Sequence, residues 1–386
     1  MTDPASGASI LVLNAGSSSI KFAVFDADLT ETLSGMTDAI GGASTLRIGD
    51  ETRDVALADH AGALAAILDA LADRGITPDT LRAVGHRVVH GGPNLTRPMR
   101  VTDDVRAEIA NCTPLAPLHN PHNLAPMDAL ARLAPNVPQF ASFDTSFHAT
   151  NPSVATRYAI PKMIETKGIR RYGFHGLSYA SLVRRLPEIS GMPLPSRLLA
   201  FHLGNGASLC AIKDGQSIAT TMGYSPLDGL TMGTRSGGID ANAVLRLVEE
   251  NGLERTKELL NHESGLLGLS GGKSDMRKLM LDASEDSAFA VEHFCYWTLR
   301  HAGSLIAALE GVDAIAFTGG IGENAVDVRA RILRGLEWTG VQVDPDGNRR
   351  SRSRLHTNAS PVAAWVIPAQ EEQMIALDAL ALLSAE

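Results

Sequence analysis

Cysteine is scarce in this chain. Cys112, Cys210 and Cys295 are odd in number and far apart among 386 residues, so they form neither a disulfide framework nor a CxxC metal knuckle. They read as reduced thiols in packed positions. No apolar run approaches the ~20 residues of a membrane-spanning helix, so a spanning segment is not expected. Lys and Arg are absent before Lys21, and the opening Met1-Thr2-Asp3-Pro4 lacks the basic start of a signal peptide, so the expected compartment is the cytoplasm. Basic residues are also the minority, 34 against 43 acidic, and the net charge of −9 opposes non-specific binding to nucleic acid. Any anionic ligand must then be held by a local cluster. With 44% hydrophobic and 20% charged residues the chain is a folding one. Its length exceeds the roughly 250–300 residues that one hydrophobic core supports, so two domains are expected.

The N-terminus reads as a hairpin, with β-rich runs Ile10 to Leu13 and Ile20 to Phe25 flanking the polar turn Asn14 to Ser19. A second hairpin, Leu198 to Leu203 and Ser208 to Ile212 around Gly204-Asn205-Gly206-Ala207, is followed by a third strand, Ser217 to Thr221. Two such hairpins half a chain apart suggest a duplicated β-hairpin domain. Between them lie an Ala-rich helical stretch, Ala56 to Ala72, and the strands Ala83 to Val89 and Val137 to Phe143. The second half adds a helix over Asp240 to Glu250, a Gly-rich loop at Gly265 to Gly272, an amphipathic stretch Ser287 to Leu309 and the strand Ala314 to Thr318. It closes with the strand Val362 to Ile367 and the helix Glu371 to Leu383. Alternating strands and helices define an α/β class, with a boundary near Asn151-Pro152.

Three local patterns suggest other enzymes. Gly268-Leu269-Ser270-Gly271-Gly272-Lys273-Ser274 nearly spells a P-loop but has three residues where the motif needs four. The same segment matches a GxSxG elbow, yet Glu263 to Leu267 makes a poor strand for a hydrolase sheet. Gly320-Ile321-Gly322-Glu323-Asn324-Ala325 satisfies GxGxxA between a strand and a helix, with Asp344 at the dinucleotide spacing. Too little chain follows Asp344 for a second dinucleotide half, so this loop reads as a mononucleotide site, its amides and a helix start facing the ligand. More informative is where polar residues collect. Asn14, Arg87, Asp144 and Glu371 lie at or just beyond the ends of apolar strands, and His202 lies near the end of another. In α/β sheets those ends face the ligand crevice. Singly each is an ordinary cap or turn former; carboxylates beside guanidinium and imidazole groups, with Gly-rich loops, fit a magnesium–nucleotide site.

Asn14-Ala15-Gly16-Ser17-Ser18-Ser19-Ile20-Lys21, Gly85-His86-Arg87-Val88-Val89-His90-Gly91-Gly92 and Ala116-Pro117-Leu118-His119-Asn120-Pro121 are followed by Phe143-Asp144-Thr145-Ser146-Phe147-His148 and Tyr172-Gly173-Phe174-His175-Gly176. Then come His202-Leu203-Gly204-Asn205-Gly206, Met232-Gly233-Thr234-Arg235-Ser236-Gly237 and Gly320-Ile321-Gly322-Glu323-Asn324. Together, in this order and over nearly the whole chain, these motifs resemble the acetate kinase family. The resemblance implies two duplicated actin-like (ribonuclease H-like) α/β domains with an interdomain cleft, in a homodimer. The domains would be 1–150 with a returning helix 372–386, and 151–371. It implies reversible phosphoryl transfer from ATP to acetate with Mg²⁺, for which Mn²⁺ can substitute.

By the same resemblance, Asn14 and Glu371 are magnesium residues, with Asp144 beside them, and Arg87, Asp144, His175 and Arg235 are catalytic. Arg87, Val89, Leu118, Phe174 and Pro226 hold the acyl substrate. Lys21, His202, Leu203, Gly204, Asn205, Gly206, Asp275, Met276, Arg277, Gly320, Ile321, Gly322, Glu323 and Asn324 serve the nucleotide, and Ser17, Ser19 and His119 line the same cleft. Val89, two residues beyond Arg87 on one strand, is expected to share its face. The chain departs from the family pattern at Gly238-Ile239-Asp240-Ala241, which is expected to loosen the following helix start, at Ala369-Gln370 before Glu371, and around Lys273 and Met276. The alternatives are propionate kinase or another short-chain acyl kinase, an actin-like ATPase acting as a binding or assembly module, and a nicotinamide dehydrogenase.

Overall fold

A computed structural model describes residues 9–165 and 167–385. They divide into two compact units, Met1–Ser146 with Gln370–Glu386, and Phe147–Ala369. Glu371, the last residue of the expected second domain, thus falls in the first unit.

The first unit is built on a sheet of β1 (Ser9–Ala15), β2 (Ile20–Phe25), β3 (Glu31–Asp38), β4 (Thr45–Ile48), β5 (Glu51–Asp54), β6 (Leu81–Val88), β7 (Met99–Arg100) and β8 (Gln139–Phe143), in the order β5-β4-β3-β2-β1-β6-β8-β7. The strands β1, β6 and β8 run parallel, while β1 to β5 form an antiparallel meander. Both faces are covered, so β1 and β6 read as near-continuous apolar runs. On one face Leu11, Leu13, Phe22 and Val84 pack with Leu64, Ile67 and Leu71 of the helix His60–Ala72 and with Leu130 of the helix Asn120–Leu133. The helix Glu371–Ser384 packs on β1, β6 and β8. It approaches so closely that a Cβ on Gly85 would stand 2.6 Å from Ile375 Cγ2.

The second unit contains β9 (Arg197–Leu203), β10 (Ala207–Lys213), β11 (Gln216–Thr220), β12 (Ala314–Thr318) and β13 (Ala363–Val366), in the order β11-β10-β9-β12-β13. Here β9, β12 and β13 are parallel and β9 to β11 antiparallel. This repeats the arrangement β3-β2-β1-β6-β8, the duplication that the paired hairpins suggest. Tyr179, Leu182 and Leu186 of the helix Gly176–Ser190 pack on Leu198, Ala200, Cys210 and Ile212. Helix Glu285–Ala308 lies against β9, β10 and β11.

Several local expectations shift. The Ala-rich helix starts at His60, because Asp59 adopts extended backbone and accepts from the Gly62 N–H at 2.8 Å. Strand β6 ends at Val88, so strand alternation does not reach Val89. The helix after Asp240 is not loosened: Asp240 accepts from the N–H groups of Asn242 and Ala243, at 2.8 and 3.3 Å, and Gly252 closes the helix. The polar strands β3 to β5 escaped sequence reading because they lack the apolar run that marked the others. Among the described residues, no helix is long and apolar enough to cross a membrane.

Candidate active site

In the first unit Asn14, Arg87 and Asp144 come together because β1, β6 and β8 are parallel neighbours whose C-terminal ends lie side by side. Arg87 grips Asp144 in a fork, Nε to Oδ1 at 3.1 Å and Nη2 to Oδ2 at 2.6 Å, and its Nη1 donates to Asn14 Oδ1 at 3.1 Å. Asn14 Nδ2 in turn donates to Glu372 Oε1 at 3.3 Å. Lys21 lies opposite Asn14 in the β1–β2 register. Asp144 is buried, while Arg87 keeps 23% of its side chain exposed, so the guanidinium has an accessible edge. Each η nitrogen has used one N–H, leaving a pair of donors for a carboxylate or phosphoryl group.

The electrostatics are unbalanced toward negative charge. Burial works against the Arg87 cation, but Asp144, Glu371 and Glu372 outweigh it and raise its pKa. Glu371 is raised well above the ordinary carboxylate range, first by burial and then by Asp144 and Glu372, with Arg87 and Lys21 opposing. A bound cation would relieve that charge. Among the described residues no three or more Asp, Glu, His or Cys groups form a ready-made metal cage. Mg²⁺, however, usually takes one or two carboxylates plus water and substrate phosphate. The oxygen donors here fit it, although both Asp144 oxygens are already engaged by Arg87, which makes Glu371 the better direct ligand.

Two residues that sequence reading passed over hold this site. Asn123 is buried; its Oδ1 accepts from the Val89 N–H at 3.0 Å and its Nδ2 donates to Ala15 O at 2.8 Å. Asn120 pairs in both directions with the backbone of His90. They occupy the first turn of the helix that follows His119. Polar residues in a first turn look like ordinary caps in a sequence, which conceals their reach to other segments. His60 likewise bonds Gly16 O at 2.7 Å and steadies the turn that carries Ser17 and Ser19. Val89 is buried and Leu118 is exposed.

In the second unit His202, next to last in β9, lies beside Thr318 of β12, so the Gly204–Gly206 turn and the Gly319–Asn324 segment emerge from neighbouring strands. A Cβ on Gly206 would meet His175 Nε2 at 3.2 Å and Arg235 Nη1 at 3.7 Å; one on Gly204 would meet His202 Nε2 at 3.8 Å and the Gly320 nitrogen at 3.9 Å. These glycines leave open the space toward which the side chains converge. Arg235 is steadied by the Pro226 carbonyl at 3.0 Å. Asn205 accepts the Gly233 N–H on its backbone oxygen at 2.9 Å, so the Arg235 loop is tied to the hairpin. Phe174 is buried, and its carbonyl accepts from His148 Nε2 at 2.9 Å. His175 itself has φ 60° and ψ 24°, a left-handed conformation uncommon outside glycine.

Other nucleotide candidates have local work. Glu323 Oε1 accepts from the N–H groups of Gly319 and Ala369, each at 3.0 Å, so it caps its own loop. Leu203 and Met276 are buried in the core, leaving little but backbone for a ligand. Asp275 caps the helix Met276–Leu281 and pairs with Arg277 at 2.8 Å; that partner pulls its carboxyl down to about 2. Arg329, unmarked in the sequence because it sits in an amphipathic helix, is fully buried. It donates to Gly322 O at 2.9 Å and Glu323 O at 2.7 Å, fixing the Gly320–Asn324 backbone.

Two sheets of one repeated order, each presenting polar residues or Gly-rich turns at the ends of its parallel strands, define a duplicated α/β protein of the actin-like class. The chain belongs to the acetokinase family, whose family model matches residues 9–377. It is 46% identical over 391 residues to the acetate kinase of Nitrobacter hamburgensis, a match covering 97% of this chain and 96% of the relative. The crystal structure of Porphyromonas gingivalis acetate kinase is 36% identical with a TM-score of 0.90, over 97% of this chain and 100% of that one. A propionate kinase from Francisella tularensis is 34% identical with a TM-score of 0.91, over 96% and 98%.

Proposed function

We propose that this protein is an acetate kinase, transferring the γ-phosphoryl group of ATP reversibly to acetate by direct in-line displacement to give acetyl phosphate and ADP. The observation that carries this reading is the convergence of the His175 ring and the Arg235 guanidinium on Gly206, beside a space left open by glycine. An assembly ATPase has no need of such a phosphoryl clamp. Acetate is an anion at neutral pH and needs no general base. The difficulty is to bring two anions together and to offset charge on the transferring group, which positioned donors in a site of low dielectric achieve.

Arg87 holds the acetate carboxylate through its remaining N–H groups, and Asp144 and Asn14 fix the plane of the guanidinium. Val89 and Leu118 of the first unit, and Phe174 and Pro226 of the second, are the apolar residues that the family resemblance assigns to the methyl group. Arg235 and His175 donate to the phosphoryl oxygens. The Gly204–Gly206 turn and the Gly320–Asn324 loop, with His202 and Asn205, hold the nucleotide; the resemblance also assigns Asp275 and Arg277 of this unit, and Lys21 of the first, to it. Asn14 and Glu371, assisted by Glu372, would hold Mg²⁺, or Mn²⁺ in its place. The ion supplies charge neutralisation at the nucleotide phosphates. The partner is a second copy of the chain, and the compartment is the cytoplasm, where three buried thiols stay reduced.

The likeness to a propionate kinase favours a second acyl substrate. One methylene in an apolar pocket is worth only ~1–3 kcal/mol, so propionate should react more slowly than acetate but measurably. Incubation with Mg-ATP and each acid, with hydroxylamine to trap the acyl phosphate as hydroxamate, tests the reading. Trapped product with acetate supports it; none with acetate, propionate or butyrate would sink it.

A further inference from the structure

We propose that Tyr179 and Ser208 are positioning residues that hold His175 in the neutral tautomer with its proton on Nε2, so that the ring presents a donor toward Gly206. This deepens the proposed function and rests on the reading of His175 as a phosphoryl contact. The ring's Nδ1 lies 2.9 Å from Ser208 Oγ, and Ser208 Oγ lies 2.6 Å from the Tyr179 hydroxyl. Ser208 and Tyr179 are both fully buried. Tyr179 is four residues after His175, and its N–H donates to the His175 carbonyl at 3.1 Å, so helix geometry sets the relay.

The direction of the protons follows from satisfying each buried hydrogen. The Tyr179 phenol is fully buried, so its hydrogen needs an acceptor within the protein. Among the described residues, the acceptor paired with it is Ser208 Oγ. With the Tyr179 proton given to Ser208, the serine hydrogen goes to His175 Nδ1. The reverse order would leave the phenolic hydrogen buried without an acceptor.

Neighbouring geometry gives the tautomer its purpose. Nε2 is the ring atom that a Cβ on Gly206 would meet, close to Arg235 Nη1. A lone pair there would repel phosphoryl oxygen, whereas an N–H adds a second donor beside the guanidinium. The His202 ring is stacked on His175 with centroids 4.0 Å apart, and its Nδ1 lies 2.8 Å from Ser178 Oγ. That stack fixes the plane of the His175 ring. The left-handed backbone of His175 is the kind of local strain a surrounding network must hold in place.

The test combines kinetics with ¹⁵N NMR of the histidine rings in the intact protein. Ser208→Ala should lower kcat by about 10- to 100-fold, the range typical of losing a partner that orients an imidazole, with KM for ATP and acetate changed less than about threefold. Tyr179→Phe should give a smaller loss of the same kind, and Ser208→Thr should recover most of the activity. In the free protein His175 Nδ1 should report as unprotonated in wild type and as mixed in Ser208→Ala. Placed in a His175→Ala background, Ser208→Ala should add no further loss. A protonated Nδ1 in wild type, or an equal additional loss in the His175→Ala background, would overturn the proposal. The NMR result does not depend on which acid is phosphorylated, so its failure is distinguishable from failure of the proposed function.

Discussion

Removing Arg87 should uncover a buried carboxylate, and the size of the effect can be worked out from its partners. Arg87→Ala deletes the fork to Asp144 and the bond to Asn14, leaving Asp144, only 2% exposed, without its cation. Breaking a buried pair by losing one partner costs about 3–5 kcal/mol. At roughly 2–4 °C per kcal/mol for a domain of 150–250 residues, the melting temperature should fall by roughly 10 °C. Asp144→Asn in the Arg87→Ala background should restore much of that loss, because it removes the stranded charge. A double-mutant cycle at pH 8 should therefore give a coupling of at least about 2 kcal/mol. At pH 5 the penalty should shrink, since Glu371, whose carboxyl is raised chiefly by burial, takes up a proton. Activity follows a different rule: acetate KM should rise in Arg87→Ala and stay high in the double variant, where the anion grip is still missing. Additive melting shifts within about 0.5 kcal/mol would refute the reasoning.

Arg235→Ala should lower turnover by on the order of 10³ or more with ATP binding nearly unchanged, measured by steady-state kinetics and calorimetry, because an arginine acting on transition-state charge supplies roughly 10³ to 10⁵. Arg329→Leu should leave the Gly322 and Glu323 carbonyls without their donor, lowering stability by about 1–3 kcal/mol for each buried acceptor left bare and raising the KM for ATP more than that for acetate; equal effects on both would separate this arginine from the nucleotide loop. His86 and His148 are each lowered to about 4, chiefly by burial. The unfolded chain, with histidines near 6.5, then binds more protons between about pH 4 and 6.5, and stability falls as pH falls through that window by about 3 kcal/mol for each. Chemical denaturation from pH 7.5 to 4.5 should trace this slope, and His148→Gln should flatten it.

Strand ends were legible because their chemistry is local. Asn14, Arg87 and Asp144 each stand out as a polar residue closing an apolar run, and the parallel order of β1, β6 and β8 then aligns them without further information. The repeated hairpins were legible for the same reason. Asn123 and Asn120 were not, because the segments they clamp, Val89–His90 and Ala15, are distant in sequence and nothing in a first-turn amide signals its target. Ser208 was read only as a strand residue, since its value lies in facing both Tyr179 and His175. Val89 shows the opposite error: strand alternation was extended one residue past the place where Asn123 takes over its N–H.

The most direct measurement of the central claim follows the carboxylate oxygen. With Mg-ATP and acetate carrying ¹⁸O in its carboxylate, ³¹P NMR should show acetyl phosphate whose phosphorus resonance is shifted by a bridging ¹⁸O, made by wild type and lost in Arg235→Ala. An acetyl phosphate resonance without that shift, or no such product at all, would contradict direct attack of acetate on the γ-phosphoryl group.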